Sequence, residues 1–310
     1  MNMLSRLKRA NLLALSTIML VAVLYVSCDN IEGDLSNLPA DKQLELLDAK
    51  LRHHPRNASL YYHRGKLYTS MGRGQEAVKD LEKAVSLDDD ECDYYTALGD
   101  AYFSTGNVGK SYGALRQALQ LDPENKEANL KMGEIAFYSG DYDRALENLS
   151  KVTAVEHDNR TALYMKSFIY KEKGDTLNAV KLLRKVIDLY PDYAPAYEEV
   201  GMLYADQRNP LGIDYLTTAV QLDSTNVQAI YGLALLYQDL EEALKAEEIY
   251  RQLLRIDPGN VDALNNLGYM EMIYFEDYDR AIAYFDSVLV LDPNYERAIQ
   301  NRTLALSLRK

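Results

Sequence analysis

The 310-residue chain carries 34 Lys and Arg against 47 Asp and Glu, a formal net charge of −13 at pH 7, and contains no tryptophan. An acidic surface repels phosphate backbones and no run of the sequence forms a basic stripe, which excludes nucleic acid as the expected partner. Two cysteines cannot build a disulfide framework, and no Walker loop, H-E-x-x-H, G-x-S-x-G or dinucleotide fingerprint occurs, so the sequence marks no catalytic residue, cofactor or metal site.

The chain begins with Arg6, Lys8 and Arg9, then an uncharged apolar stretch from Leu12 to Val26, then Ser27 and Cys28. That order predicts a secretory signal over residues 1–28. The alternative is an uncleaved anchor, although a membrane span wants about 20 apolar residues. Either form places the rest of the chain outside the cytoplasm, because the positive charges precede the apolar stretch. Cys28, followed by "DNIEGD", resembles the lipobox of bacterial lipoproteins, in the relaxed form of Bacteroidetes-type bacteria. The resemblance implies lipid on Cys28, attachment to the cell envelope, and an outer-membrane lipoprotein facing the periplasm or the surface. Residues 29–40 read as an acidic tether. Residues 41–57 read as an N-terminal cap, with a helix from Asp41 to His54 that ends at Pro55.

A repeating pattern follows. Gly65, Gly99 and Gly133 stand 34 residues apart, and Pro55, Pro123, Pro191 and Pro258 fall on the same lattice. "YYHRGKLY", "YTALGDAY", "NLKMGEIA" and "YEEVGMLY" align in phase, each with large or small residues at i, i+4 and i+7 on one helical face. The glycine slot is later filled by Ser167, Gly201, Ala234 and Gly268, so small residues are kept where two helices approach closely. A second helix follows each time. In it Ala77, Ala145, Ala179, Ala246 and Ala281 precede Leu81, Leu149, Leu183, Tyr250 and Phe285 by four, which puts a small and a large residue on one face. Motifs such as "LDPENKEA" and "IDPGNVDA" end each unit. Proline there stops one helix and starts the next, with Asp122, Asp257 and Asp292 expected to supply the cap.

These segments resemble tetratricopeptide repeats, whose pattern is W-x2-L-G-x2-Y, then A-x3-F, then P. Tyrosine, leucine, isoleucine or asparagine stands where the family has tryptophan. The resemblance implies an all-α fold: a right-handed superhelical solenoid of about seven helical hairpins, with helical caps at both ends. The repeats fall at 58–91, 92–125, 126–159, 160–193, 194–226, 227–260 and 261–295. The fifth is one residue short near "DQRNPLGIDY" and the seventh one long near "MIYFEDYDR", and both irregularities are expected in hairpin turns. Residues 296–310 read as a C-terminal cap, with Ala298, Leu304, Leu306 and Leu308 on its apolar face.

In this family the first helices line a concave groove that receives an extended peptide or a partner helix. The corresponding positions are Tyr62 and Lys66, Asp100 and Phe103, Glu134 and Phe137, Tyr164, Phe168 and Lys171, then Met202 and Tyr231. Phe103, Phe137, Tyr164 and Phe168 are candidate anchors, because aromatics desolvate much area for little entropy. Family members that clamp a terminal carboxylate use Lys, Asn and Arg. Here Lys66, Asp100, Glu134, Phe168 and Met202 occupy the analogous sites, only one of them basic, so apolar contacts edged by acid fit better than a clamp.

The remaining features are structural on their face. Cys92 sits beside Asp89, Asp90 and Glu91, a setting that raises a thiol pKa and speaks against a nucleophile. "LDDDECD" reads as a solvated turn that is compatible with a basic partner. His53, His54 and His63 complete no ligand set. Tyr61, Tyr68, Tyr95, Tyr102, Tyr170, Tyr197, Tyr204 and Tyr237 occupy packing slots, which accounts for part of the 25 tyrosines. The expected function is a non-catalytic interaction scaffold tethered in the bacterial envelope, binding a protein or peptide. One alternative is an obligate accessory subunit of an envelope machine for secretion, outer-membrane assembly or wall synthesis. Another is an enzyme with an unrecognised site.

Overall fold

A computed structural model describes Leu35 and residues 38–309. Cys28, the signal 1–28 and nearly all of the 29–40 tether lie outside the described residues. Among the described residues there are sixteen helices and no strand. The first, α1, spans Ala40–His53. Seven hairpins follow: α2 (Ala58–Ser70) with α3 (Gly74–Leu87), α4 (Cys92–Ser104) with α5 (Val108–Leu121), α6 (Lys126–Tyr138) with α7 (Tyr142–Val155), α8 (Arg160–Glu172) with α9 (Thr176–Leu189), α10 (Ala194–Ala205) with α11 (Leu211–Leu222), α12 (Val227–Asp239) with α13 (Ala243–Ile256), and α14 (Val261–Ile273) with α15 (Tyr278–Leu291). The last helix, α16, spans Glu296–Leu308. The helices form two compact units, one up to Lys131 and one from Met132, and α6 runs through that boundary.

Each hairpin closes on one small-to-large contact. A Cβ placed on Gly65 would lie 2.6 Å from Leu81 Cγ, and one on Gly99 would lie 2.5 Å from Leu115 Cγ, so the facing leucines fill the space a side chain would take. The turn between the two helices needs a left-handed residue. Gly72, Gly106, Gly140 and Gly174 supply it with φ of 72° to 77°, and Arg208, Glu241 and Glu276 supply it in the last three hairpins with φ of 51° to 60°. In each case the following amide bonds back into the first helix, as when Arg73 N donates to Tyr68 O at 2.8 Å and Asp175 N to Tyr170 O at 2.8 Å.

This geometry locates the two irregular repeats. The left-handed residue follows the small slot by seven residues in the first six repeats, from Gly65 and Gly72 through Ala234 and Glu241. Between Gly268 and Glu276 the spacing is eight, so the extra residue sits at the end of α14, where Asp277 N reaches back to Glu271 O at 2.9 Å. The missing residue of the fifth repeat lies after Arg208. Leu216 follows it by eight, whereas Leu81 follows Gly72 by nine. Pro210 starts α11 there.

Asparagine, not aspartate, caps five of the seven first helices. Asn57, Asn125, Asn159, Asn226 and Asn260 each accept a bond from the backbone N–H three residues on, at 2.9 to 3.2 Å. The expected caps Asp122 and Asp292 instead end the preceding helix and fold the turn, accepting from Glu124 N and Asn294 N at 3.0 Å. The reason is reach, since a residue four before the helix cannot contact its first free amides.

Within the first unit, Leu35, Leu47, Leu51, Leu60 and Leu67 form one core cluster and Ala77, Leu81, Leu98, Ala101, Tyr102 and Ala114 another. The second unit repeats the scheme around Leu183, Leu216, Tyr250 and Phe285. The C-terminal helix departs from expectation. Ala298 and Ala305 are buried, while Leu304, Leu306 and Leu308 are 41–45% exposed. Residues spaced by two point about 200° apart on a helix and cannot share a face; residues spaced by seven can.

Candidate interaction surface

The face of the first helices is built separately in each unit. In the first, the Tyr62 ring lies 5.0 Å from Tyr94, and Lys66 Nζ donates to Tyr62 Oη at 3.2 Å while standing 5.1 Å from the ring centre. Asp100 pairs with Lys131 at 3.1 Å, and the same ammonium lies 5.5 Å from the Phe103 ring. One lysine therefore joins two of the expected positions.

In the second unit the densest group surrounds Tyr164. Its ring meets Phe168 edge-on at 5.0 Å and Tyr193 edge-on at 5.4 Å. Lys171 bonds Glu199 at 2.8 Å and lies 5.4 Å from the Phe168 ring, so an ion pair borders the aromatic group. Burial, followed by the Glu199 charge, pushes the Tyr164 hydroxyl well above its ordinary pKa and keeps it protonated. Next along, Glu198 accepts from Asn226 at 2.7 Å. Phe137 stands apart from the Tyr164 group, packed against Tyr138 at 5.5 Å and Tyr142 at 6.0 Å, with Glu134 half-buried one turn earlier.

Two expected residues turn inward. Met202 fills the space beside Gly232, where a Cβ would collide with its sulfur, and packs on the Leu216 and Leu233 cluster. Tyr231 packs against Tyr250 at 6.0 Å and accepts from Asn266 Nδ2 at 3.2 Å. These contacts make both residues part of the joint between repeats.

Elsewhere, Arg64 donates to Asp48 at 2.7 Å and to both oxygens of Asp80 at 2.6 and 2.9 Å, tying α1, α2 and α3 together across an open polar cleft. Cys92 donates to Ala118 O at 3.4 Å. Its thiol is pushed up first by burial and then by Asp122 and Asp93, so desolvation outranks the acidic run as the cause. Among the described residues no group of three His, Cys, Asp or Glu could hold a metal ion, and no helix is long and apolar enough to cross a membrane.

Tetratricopeptide-repeat family models match residues 65–106, 102–167, 161–193 and 231–296, which together span well over half of the chain with the phase of the observed hairpins. The chain is a tetratricopeptide-repeat protein. A protein prenyltransferase alpha subunit repeat model matches residues 40–71, covering α1 and α2. The structure of the MamA protein is similar at 26% identity and TM-score 0.51, covering 56% of this chain and 96% of that one. YrrB, described as a TPR protein with an unusual peptide-binding site, covers 61% of this chain and 98% of its own at 19% identity and TM-score 0.53. A tetratricopeptide repeat protein from Parabacteroides merdae covers 80% and 98% at 14% identity and TM-score 0.56. These last two likenesses concern the fold alone. Protein O-mannosyl-transferase Tmtc3 of Drosophila melanogaster is 29% identical over 115 residues, and the match spans only 12% of that protein.

The tetratricopeptide frame shows which surface residues the sequence reading missed. Lys131, Glu199 and Asn266 all stand two before the small slot of their first helix, and Tyr193 immediately precedes one. A polar residue two before the small slot in these three repeats was the available signal.

Proposed function

We propose that the chain is a non-catalytic scaffold that binds a protein or peptide segment along the first-helix face of its second unit. The tetratricopeptide fold supports an interaction scaffold. The observation that carries the finer reading is the Tyr164, Phe168 and Tyr193 group bordered by the Lys171–Glu199 pair. Half-buried aromatics beside a polar pair suit an apolar side chain on an otherwise polar peptide. Phe137 supplies a separate aromatic contact toward α7. Tethering in the bacterial envelope through lipid on Cys28, or through the apolar segment before it, completes the proposal and rests on the sequence order of charge, apolar stretch and cysteine.

The test is a binding assay with the double variant Phe137→Ser and Phe168→Ser. Loss of partner binding with the helical spectrum retained supports the reading. Unchanged binding moves the interface to another face. A single stoichiometric envelope partner would favour the accessory-subunit alternative over a general peptide binder.

A further inference from the structure

Charge is distributed unevenly among the repeats. Residues 160–193 hold seven Lys and Arg against four Asp and Glu, a net of +3, while each of the other six repeats is net negative, from −2 to −6. The excess is shared by its two helices, α8 and α9 each being net +2. On α9, Lys181, Arg184 and Lys185 are all exposed, and their spacing of i, i+3 and i+4 puts them on one stripe. None of the three forms an ion pair among the described residues. Lys185 Nζ donates to a backbone carbonyl, that of His157, at 2.8 Å.

A fourth cation lies on the preceding helix. Lys166, on α8, is half-buried and bonds only to neutral hydroxyls, Ser150 Oγ at 3.1 Å and Thr153 Oγ1 at 3.4 Å. Burial and then the Lys185 charge both lower its pKa. In a chain of net charge −13, four cations without carboxylate partners on adjoining helices call for an external anion.

The complement is present on the same sequence. The turn after α3 and the start of α4 carry Asp88, Asp89, Asp90, Glu91 and Asp93, the last four exposed, and none of the five forms an ion pair among the described residues. We propose that the basic stripe of α9 docks the acidic turn 88–93 of a second copy of this chain. Residues 88–91 are four consecutive carboxylates and Asp93 follows one residue later, so this segment offers charge opposite to the stripe at the highest density in the sequence. The contact joins two different patches, so it closes into a dimer where a two-fold axis repeats it and propagates into longer chains where none does. The ion pairs are solvent-exposed, so the association is weak and strongly screened by salt, and confinement to a membrane surface would raise the effective concentration at which it operates.

The experiment is sedimentation velocity on the full chain in a non-ionic detergent, as a concentration series at about 20 mM and about 500 mM salt. The expected result is mass that grows with concentration at low salt and returns to a single chain at high salt. Lys181→Glu, Arg184→Glu, Lys185→Glu and, separately, Asp88→Lys, Asp89→Lys, Asp90→Lys should each weaken association at least about tenfold at low salt. A mixture of the two variants should re-associate, because an acidic stripe then meets a basic turn; this rescue also shows that both variants are folded. A wild-type chain that stays single at low salt overturns the proposal, as does association that survives the stripe reversal or a mixture that fails to associate. Binding of a single-chain wild type to phosphatidylglycerol vesicles would assign the stripe to anionic lipid instead. These outcomes are independent of Phe137 and Phe168, so failure here leaves the peptide-binding reading untouched.

Discussion

Leu81 occupies the space that a side chain at Gly65 would need: a Cβ there would lie 2.6 Å from Leu81 Cγ and 2.9 Å from Cδ2, and Leu81 is fully buried. Gly65→Ala should therefore lower stability by about 1–3 kcal/mol despite the better helix propensity of alanine. Gly113, inside α5, has nothing within 4 Å of its missing Cβ, so Gly113→Ala should raise stability by about 0.5–1 kcal/mol. Thermal melts of the two variants should shift in opposite directions. A destabilised Gly113→Ala would mean that the slot contact is not what separates the two positions.

The hairpin turns give a second contrast. Glu241 holds the left-handed position that glycine fills in the first four hairpins, at a φ of 60°. Glu241→Gly should stabilise the chain by about 0.5–1 kcal/mol, whereas Gly72→Ala should destabilise it by about 1 kcal/mol. Urea melts with unchanged slope would check both.

Glu271 fills the slot that holds Tyr68, Tyr102, Tyr170, Tyr204 and Tyr237 in other repeats, and it is completely buried with Arg280 Nη2 at 2.6 Å from its carboxylate. Burial raises its pKa above the ordinary carboxylate value, and this outweighs the lowering by Arg280. A folded-state pKa above the unfolded one makes the group most favourable to folding at low pH, and that contribution is lost as pH rises through the folded value. The stability of wild type relative to Glu271→Gln should thus fall from pH 4 toward neutrality. A flat difference across that range would show that the Arg280 pair compensates burial in full.

Cys28→Ala should release the chain from membranes if lipid is the anchor. Fractionation reads this directly, and retention in the membrane fraction would assign the anchor to the apolar stretch Leu12–Val26.

The repeat period made the architecture legible because a packing rule with a fixed interval writes itself into sequence: Gly65 with Leu81 and Gly133 with Leu149 are the same contact two repeats apart. Even the odd-length repeats could be placed in the hairpin region. The capping residue was misassigned because Asp122 and Asn125 are both good caps by type, and only the turn geometry decides which one reaches the free amides. Met202 and Tyr231 occupy groove positions by spacing, but Gly232 opens a gap for the methionine sulfur and Asn266 satisfies the tyrosine, and both depend on residues about 30 positions away. The basic fourth repeat was hidden in a whole-chain charge of −13, which sums it with six net-negative repeats and with the segments outside the repeats.

The proposed scaffold holds its protein partner on the first-helix face around Phe168. The most direct test is a crosslinked pull-down from native membranes, comparing wild type with Phe137→Ser, Phe168→Ser and identifying the proteins recovered. A partner should be recovered with wild type and be absent from the folded double variant. The same partner recovered equally with both would contradict it.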